Sequence, residues 1–79
     1  PKLGDTGEYV ELFNRGGTGV DVSGWRLGDG IQFTIPEGTT IPANGYLVIG
    51  REAAALIARY PQLNSGNTLG NYSGRLSNS

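Results

Sequence analysis

The chain contains no cysteine, no histidine and no methionine. Without cysteine, neither a disulfide framework nor a thiolate metal site can compensate for a small core, and the redox compartment is left open. Without histidine and methionine, the commonest general base, the commonest zinc ligand and the soft sulfur ligands are gone together. Ser23, Ser73 and Ser77 therefore have no imidazole to activate them, and Lys2, the only lysine, lies at a terminus. Charge of either sign is also scarce: six basic residues against seven acidic ones, dispersed along the chain, leave a formal net charge of −1. That balance draws no electrostatic footprint for nucleic acid or an anionic membrane surface. No apolar run approaches the roughly 18 residues a membrane helix needs, so no membrane insertion is expected.

What is abundant is turn chemistry. Fourteen glycines and four prolines, set among Ser, Thr and Asn, punctuate the sequence as in an all-β domain with many turns. At 79 residues the chain is one domain at most, and a domain of that size buries only roughly 60% of its unfolded surface. It begins Pro1-Lys2-Leu3 without an initiating Met, as expected of a piece excised from a longer protein.

Taken in order, the Asp5-Thr6-Gly7 turn leads into a strand over Glu8 to Asn14, with Val10 and Leu12 facing one way and Glu11 the other. Tyr9 and Phe13 are expected to give the polar face partial cover. Arg15 to Gly19 is a glycine-rich loop, and it lacks the spacing and the following helix that phosphate binding requires. In Val20 to Leu27, Val20 and Val22 share a face, and a Ser23-Gly24 kink resets the phase so that Trp25 and Leu27 become the inward pair. Trp25 then plugs the core, and its replacement by Ala is expected to cost on the order of 3 to 5 kcal/mol. After a Gly28-Asp29-Gly30 turn, Ile31, Phe33 and Ile35 alternate until Pro36 stops the strand. Thr39 to Pro42 is a short edge-like piece, and Ala43-Asn44-Gly45 turns into Tyr46 to Ile49, a nearly continuous apolar strand of the kind buried on both faces. One short helix follows at about residues 51–60, with Ala53, Leu56, Ile57 and Tyr60 at helical spacing. Glu52 and Arg59 suit its dipole, and Pro61 stops it. The remainder is loop-like, with a strand at Asn71-Tyr72 and a turn at Ser73-Gly74.

Candidate chemistry is thin. Glu8 and Glu11 point to opposite sides of a strand and cannot pair as acid and base. Asp5, Asp21 and Asp29 lack the dense oxygen spacing of a calcium loop. Trp25, Tyr46, Tyr60 and Tyr72 are stacking platforms only where exposed. The arginines at 15, 26, 51, 59 and 75 sit on separate elements and form no stripe. No catalytic residue, cofactor or metal ligand is assigned.

Three segments and a short tail carry a family resemblance. They are Glu8 to Asn14, Val20 to Leu27, Ile41 to Ile49 (Ile-Pro-Ala-Asn-Gly-Tyr-Leu-Val-Ile), and Gly74-Arg75-Leu76-Ser77-Asn78. In this order and at these separations the chain resembles the lamin tail domain, the immunoglobulin-like β-sandwich at the end of nuclear lamins and in many bacterial extracytoplasmic proteins. The helix before Tyr60-Pro61 resembles the bacterial members. The resemblance implies a single domain over 1–79, a sandwich with one inserted helix, and a structural signature of Glu11, Asn14, Gly24, Trp25, Leu27, Gly45, Tyr46, Leu76 and Asn78. Family members continue past the Leu-Ser-Asn element into further strands, so a C-terminally truncated fragment with an open sheet edge is expected. The implied function is a non-catalytic interaction or attachment module of a larger secreted or surface-associated bacterial protein, outside the cytoplasm. Its partner is a protein or a second copy meeting that edge. An accessory nucleic-acid-binding module beside a nuclease or phosphoesterase is the alternative, which the near-neutral charge disfavours.

Overall fold

A computed structural model describes residues 9–28 and 30–74. The expectations that fall on Asp5, Glu8, Asp29, Arg75, Leu76, Ser77 and Asn78 lie outside the described residues. Among the described residues, eight strands and one helix follow in the order β1 (Tyr9–Phe13), β2 (Val20–Asp21), β3 (Arg26–Leu27), β4 (Ile31–Thr34), β5 (Thr40–Ile41), β6 (Tyr46–Gly50), α1 (Ala53–Arg59), β7 (Thr68–Gly70) and β8 (Ser73–Gly74). Hydrogen bonding groups the strands as β1-β6-β7, β2-β5 and β3-β4-β8. The chain is thus mostly β with one short helix.

The apolar run Leu47-Val48-Ile49 becomes the central strand β6, flanked by β1 antiparallel and β7 parallel. Its alternation feeds two clusters. Leu47 and Ile49 join Val22, Ile31, Ile35, Ile41 and Tyr72 in the main core, with Val10, Leu12, Leu27, Phe33 and Leu69 packed around it. Val48 points to the other face and joins Leu56 and Leu63, with Tyr9, Tyr46, Ile57 and Tyr60 alongside. The double burial expected of this strand is what the structure has.

Two parallel strands cannot be joined by a tight hairpin, and α1 occupies the crossover between β6 and β7. The helix is shorter than the 51–60 expected and begins one residue after Glu52, whose side chain makes no cap hydrogen bond. Asn71 takes that role instead, its Oδ1 accepting the Ala53 N–H at 2.8 Å. Leu56 is fully buried, and Arg59 lies in the last turn, where it suits the dipole. The helix sits close to the sheet because Gly50 and Gly70, partners across β6 and β7, carry no side chains. A Cβ on Gly70 would lie 2.7 Å from that of Ala53.

Four expectations need correction. The strand read at Asn71-Tyr72 is in fact the link between two strands: β7 precedes it, and Ser73-Gly74, read as a turn, is β8 paired with β4. Tyr72 is buried in the main core and its N–H reaches the Gly50 carbonyl at 3.2 Å, so this link passes from one sheet to the other. Val20 and Val22 do not share an environment: Val22 is 1% exposed and Val20 37%, because β2 ends at Asp21 and the pleat does not carry through to Val22. Phe13 is 57% exposed, and only Tyr9 of the pair meets the second cluster.

The fourth correction concerns Trp25, which is 51% exposed rather than plugging the core. Leu27 does lean on the main core. Trp25 lies one residue before β3, however, in the exit from the turn where Gly24 has φ +79°. There its N–H bonds the Val22 carbonyl at 3.1 Å and its carbonyl accepts the Ile35 N–H at 2.8 Å. Val22 and Ile35, at 1% exposure each, fill the interior beside it. Alternation holds only within a strand, and the indole falls outside one.

Ile35→Ala is accordingly expected to cost about 2–5 kcal/mol, toward the upper end for a fully enclosed site. Trp25→Ala is expected to cost on the order of 2 kcal/mol, about half the value for a buried tryptophan. Thermal or urea unfolding of the two variants checks the ranking.

Candidate interaction surface

Asn14 directly follows β1 and is 8% exposed, a buried polar side chain that must be fully bonded. Its Nδ2 donates to the carbonyls of Thr18 at 2.8 Å, Ile41 at 2.9 Å and Pro42 at 3.2 Å. Its Oδ1 accepts the Gly16 N–H at 2.8 Å, and its own N–H donates to the Gly45 carbonyl at 2.9 Å. One side chain thus shapes the Arg15–Gly19 loop and ties it to the strand β5 and the turn after it. That turn is closed by Gly45 N–H to the Pro42 carbonyl at 2.8 Å, with Asn44 at φ 59°. Gly45 allows the closure, since a Cβ there would lie 2.7 Å from Pro42 Cγ and 3.0 Å from Pro42 O.

A second latch holds the Ser23-Gly24 kink. Asp21 Oδ1 accepts the Ser23 N–H at 2.9 Å, and Ser23 Oγ accepts the N–H groups of Gly38 at 2.8 Å and Thr39 at 3.2 Å. The Gly24 N–H reaches the Ile35 carbonyl at 2.7 Å. The Asp21 carboxyl is held below its ordinary value by the Ser23 hydroxyl first and the Ser23 backbone N–H second.

Between these latches the exposed large apolar side chains come together. Phe13, Val20 and Trp25 line one shallow hollow of about 220 Å³ with Arg15 beside them and Leu12, Val22 and Ile41 beneath. β1 is an outer strand of its sheet among the described residues, so this hollow lies by a strand edge. Phe13 and Val20 were not legible as surface anchors. The usable signal was that Phe13 is out of phase with Val10 and Leu12, the inward pair of the same strand.

The other signature positions serve different places. Glu11 is exposed in mid-β1 opposite Val48, and Tyr46 begins β6 on the helix-bearing face. Gly24 provides the kink and Leu27 packs on the main core. Arg15, Arg26 and Arg59 are exposed on separate elements, and the guanidinium of Arg59 stands 5.5 Å from the Tyr60 ring centroid. Among the described residues, no group of three carboxylates, histidines or cysteines is placed to hold a metal ion. No helix there is long and apolar enough to cross a membrane.

The family model of the lamin tail domain matches residues 1–78, a span that includes every element of this surface. The chain belongs to the lamin tail domain family. Members share an immunoglobulin-like fold, consistent with the β-rich architecture above. No characterised protein and no solved structure matches this lamin tail domain.

Two outcomes follow for the latches of this lamin tail domain. Asn14→Asp replaces the donor by an acceptor facing three carbonyls and is expected to destabilise by about 1–3 kcal/mol in chemical denaturation. The depressed Asp21 carboxyl contributes stability that is present above the ordinary carboxylate pKa of 3.8 and lost as pH falls through its lower folded value. Between about pH 5 and pH 2, the melting temperature of Asp21→Asn should therefore fall less than that of the wild type.

Proposed function

We propose that this lamin tail domain is a non-catalytic attachment module of a larger protein, joining it to a protein partner or to a second copy through the Phe13, Val20 and Trp25 surface. The observation that carries this reading is that the three exposed large hydrophobic residues among those described share one hollow rather than being scattered. Exposed apolar side chains gathered in one place mark interaction surfaces, and Trp and Phe with an adjacent Arg are the residue types enriched there. The lack of histidine and cysteine in the sequence supports a binding role over a catalytic one. We read the two three-stranded sheets, with the main core drawing on both, as the halves of a β-sandwich. The inserted helix, which the sequence resemblance associates with bacterial members, supports reading the domain as the bacterial, extracytoplasmic type.

Trp25 is the only tryptophan and reports its own environment. Sedimentation velocity with rising protein concentration is expected to show self-association, accompanied by a blue shift of the emission and loss of iodide quenching. Phe13→Ser with Trp25→Ser should abolish the association in sedimentation while leaving a cooperative melt. A chain that stays monomeric, with emission and quenching unchanged at all concentrations, would overturn self-association through this surface. Steeply salt-dependent binding to duplex DNA would replace the attachment reading with a nucleic-acid one.

A further inference from the structure

The helix-bearing face carries a second recess that shares no lining residue with the Trp25 surface. It measures about 270 Å³, and three tyrosines from three places in the chain line it: Tyr9 of β1, Tyr46 of β6 and Tyr60 at the end of α1. All three are half-buried, which leaves ring surface accessible. Val48 and Leu63, both buried, supply the apolar part of the wall. Among the described residues, Glu11 is the only formally charged group in the lining, and Gln62 completes it.

Every electrostatic feature of this recess has one sign. Aromatic faces carry negative quadrupole potential, and a carboxylate stands among them with no cation in the lining among the described residues. The arrangement is also fixed before any ligand arrives. Tyr46 Oη accepts from Asn67 Nδ2 at 3.3 Å and donates to the Gln62 carbonyl at 3.4 Å, while the same Asn67 Nδ2 reaches that carbonyl at 3.1 Å. The Tyr60 ring already draws a cation, the Arg59 guanidinium 5.5 Å from its centroid, and Arg59 does not line the recess.

We propose that this recess binds an organic ammonium cation, with Tyr9, Tyr46 and Tyr60 as aromatic walls and Glu11 as counter-ion. Methylated ammonium groups are the preferred class, because they are weakly hydrated and exchange water for ring faces at little cost. A free quaternary amine and a methylated lysine side chain share this chemistry.

The test is an NMR titration of the intact chain with choline, with Nα-acetyl-Nε-trimethyllysine methylamide, and with 3,3-dimethylbutan-1-ol, the neutral isostere of choline. At least one of the two cations should shift the resonances of Tyr9, Tyr46 and Tyr60 saturably, and the comparison between them tells which source is preferred. The neutral alcohol should bind at least about fivefold more weakly. Glu11→Gln, a change at an exposed position, should weaken the cation by a similar factor with the melting temperature retained. Equal binding of the neutral isostere, no effect of Glu11→Gln, or shifts confined to Trp25 and Phe13 would each overturn the assignment. The last result would leave the attachment reading standing, and tyrosine shifts with a monomeric chain would leave only the cation site.

Discussion

Everything in this small domain depends on the burial of β6 from both sides. A strand with one buried face organises one core, whereas here Leu47 and Ile49 enter the main cluster while Val48 anchors the helix layer through Leu56 and Leu63. The antiparallel register with β1 sets Val10 opposite Ile49 and Leu12 opposite Leu47, so the neighbouring strand inherits the same division of faces. A slip of one residue would exchange the two sets of side chains and dismantle both clusters at once.

A core this small leaves much of the chain in turns, and turns are held by side chains bonding to backbone. Asn14 and Ser23 do the work that longer strands do in larger domains. Each bridges segments far apart in sequence, Asn14 reaching Ile41 and Ser23 reaching Gly38. Asn71 extends the same device to the helix, supplying a cap for Ala53 from the segment that follows the crossover. These bonds lie where backbone groups would otherwise be left without partners, which makes their loss expensive relative to their number.

The latches also account for where the accessible aromatic groups end up. The kink held by Ser23 turns Trp25 outward, and the Asn14 loop brings Phe13 and Val20 beside it. The short helix carries Tyr60 to Tyr9 and Tyr46 on the other recess. Both surfaces are consequences of the way turns are pinned. The two differ in make-up, with exposed apolar side chains in one and tyrosine rings beside a carboxylate in the other.

The sequence alone determined the all-β class, the family, the inserted helix, the double burial of Leu47 to Ile49, and the inward set Val10, Leu12, Ile31 and Ile35. Those follow from local rules: period-two alternation, helical spacing, and the backbone demands of glycine and proline. Asn14, Gly24 and Gly45 were legible as fixed points of the pattern, but their partners were not. The tertiary structure decided what depends on contacts between distant segments. It paired the short β7 with β6, sent Asn71 and not Glu52 to the helix start, and assembled three tyrosines around Glu11. It also decided the fate of Trp25. Periodicity extends only as far as a strand does, and the indole lies one residue before β3, where the latched turn and the space already filled by Val22 and Ile35 set its direction.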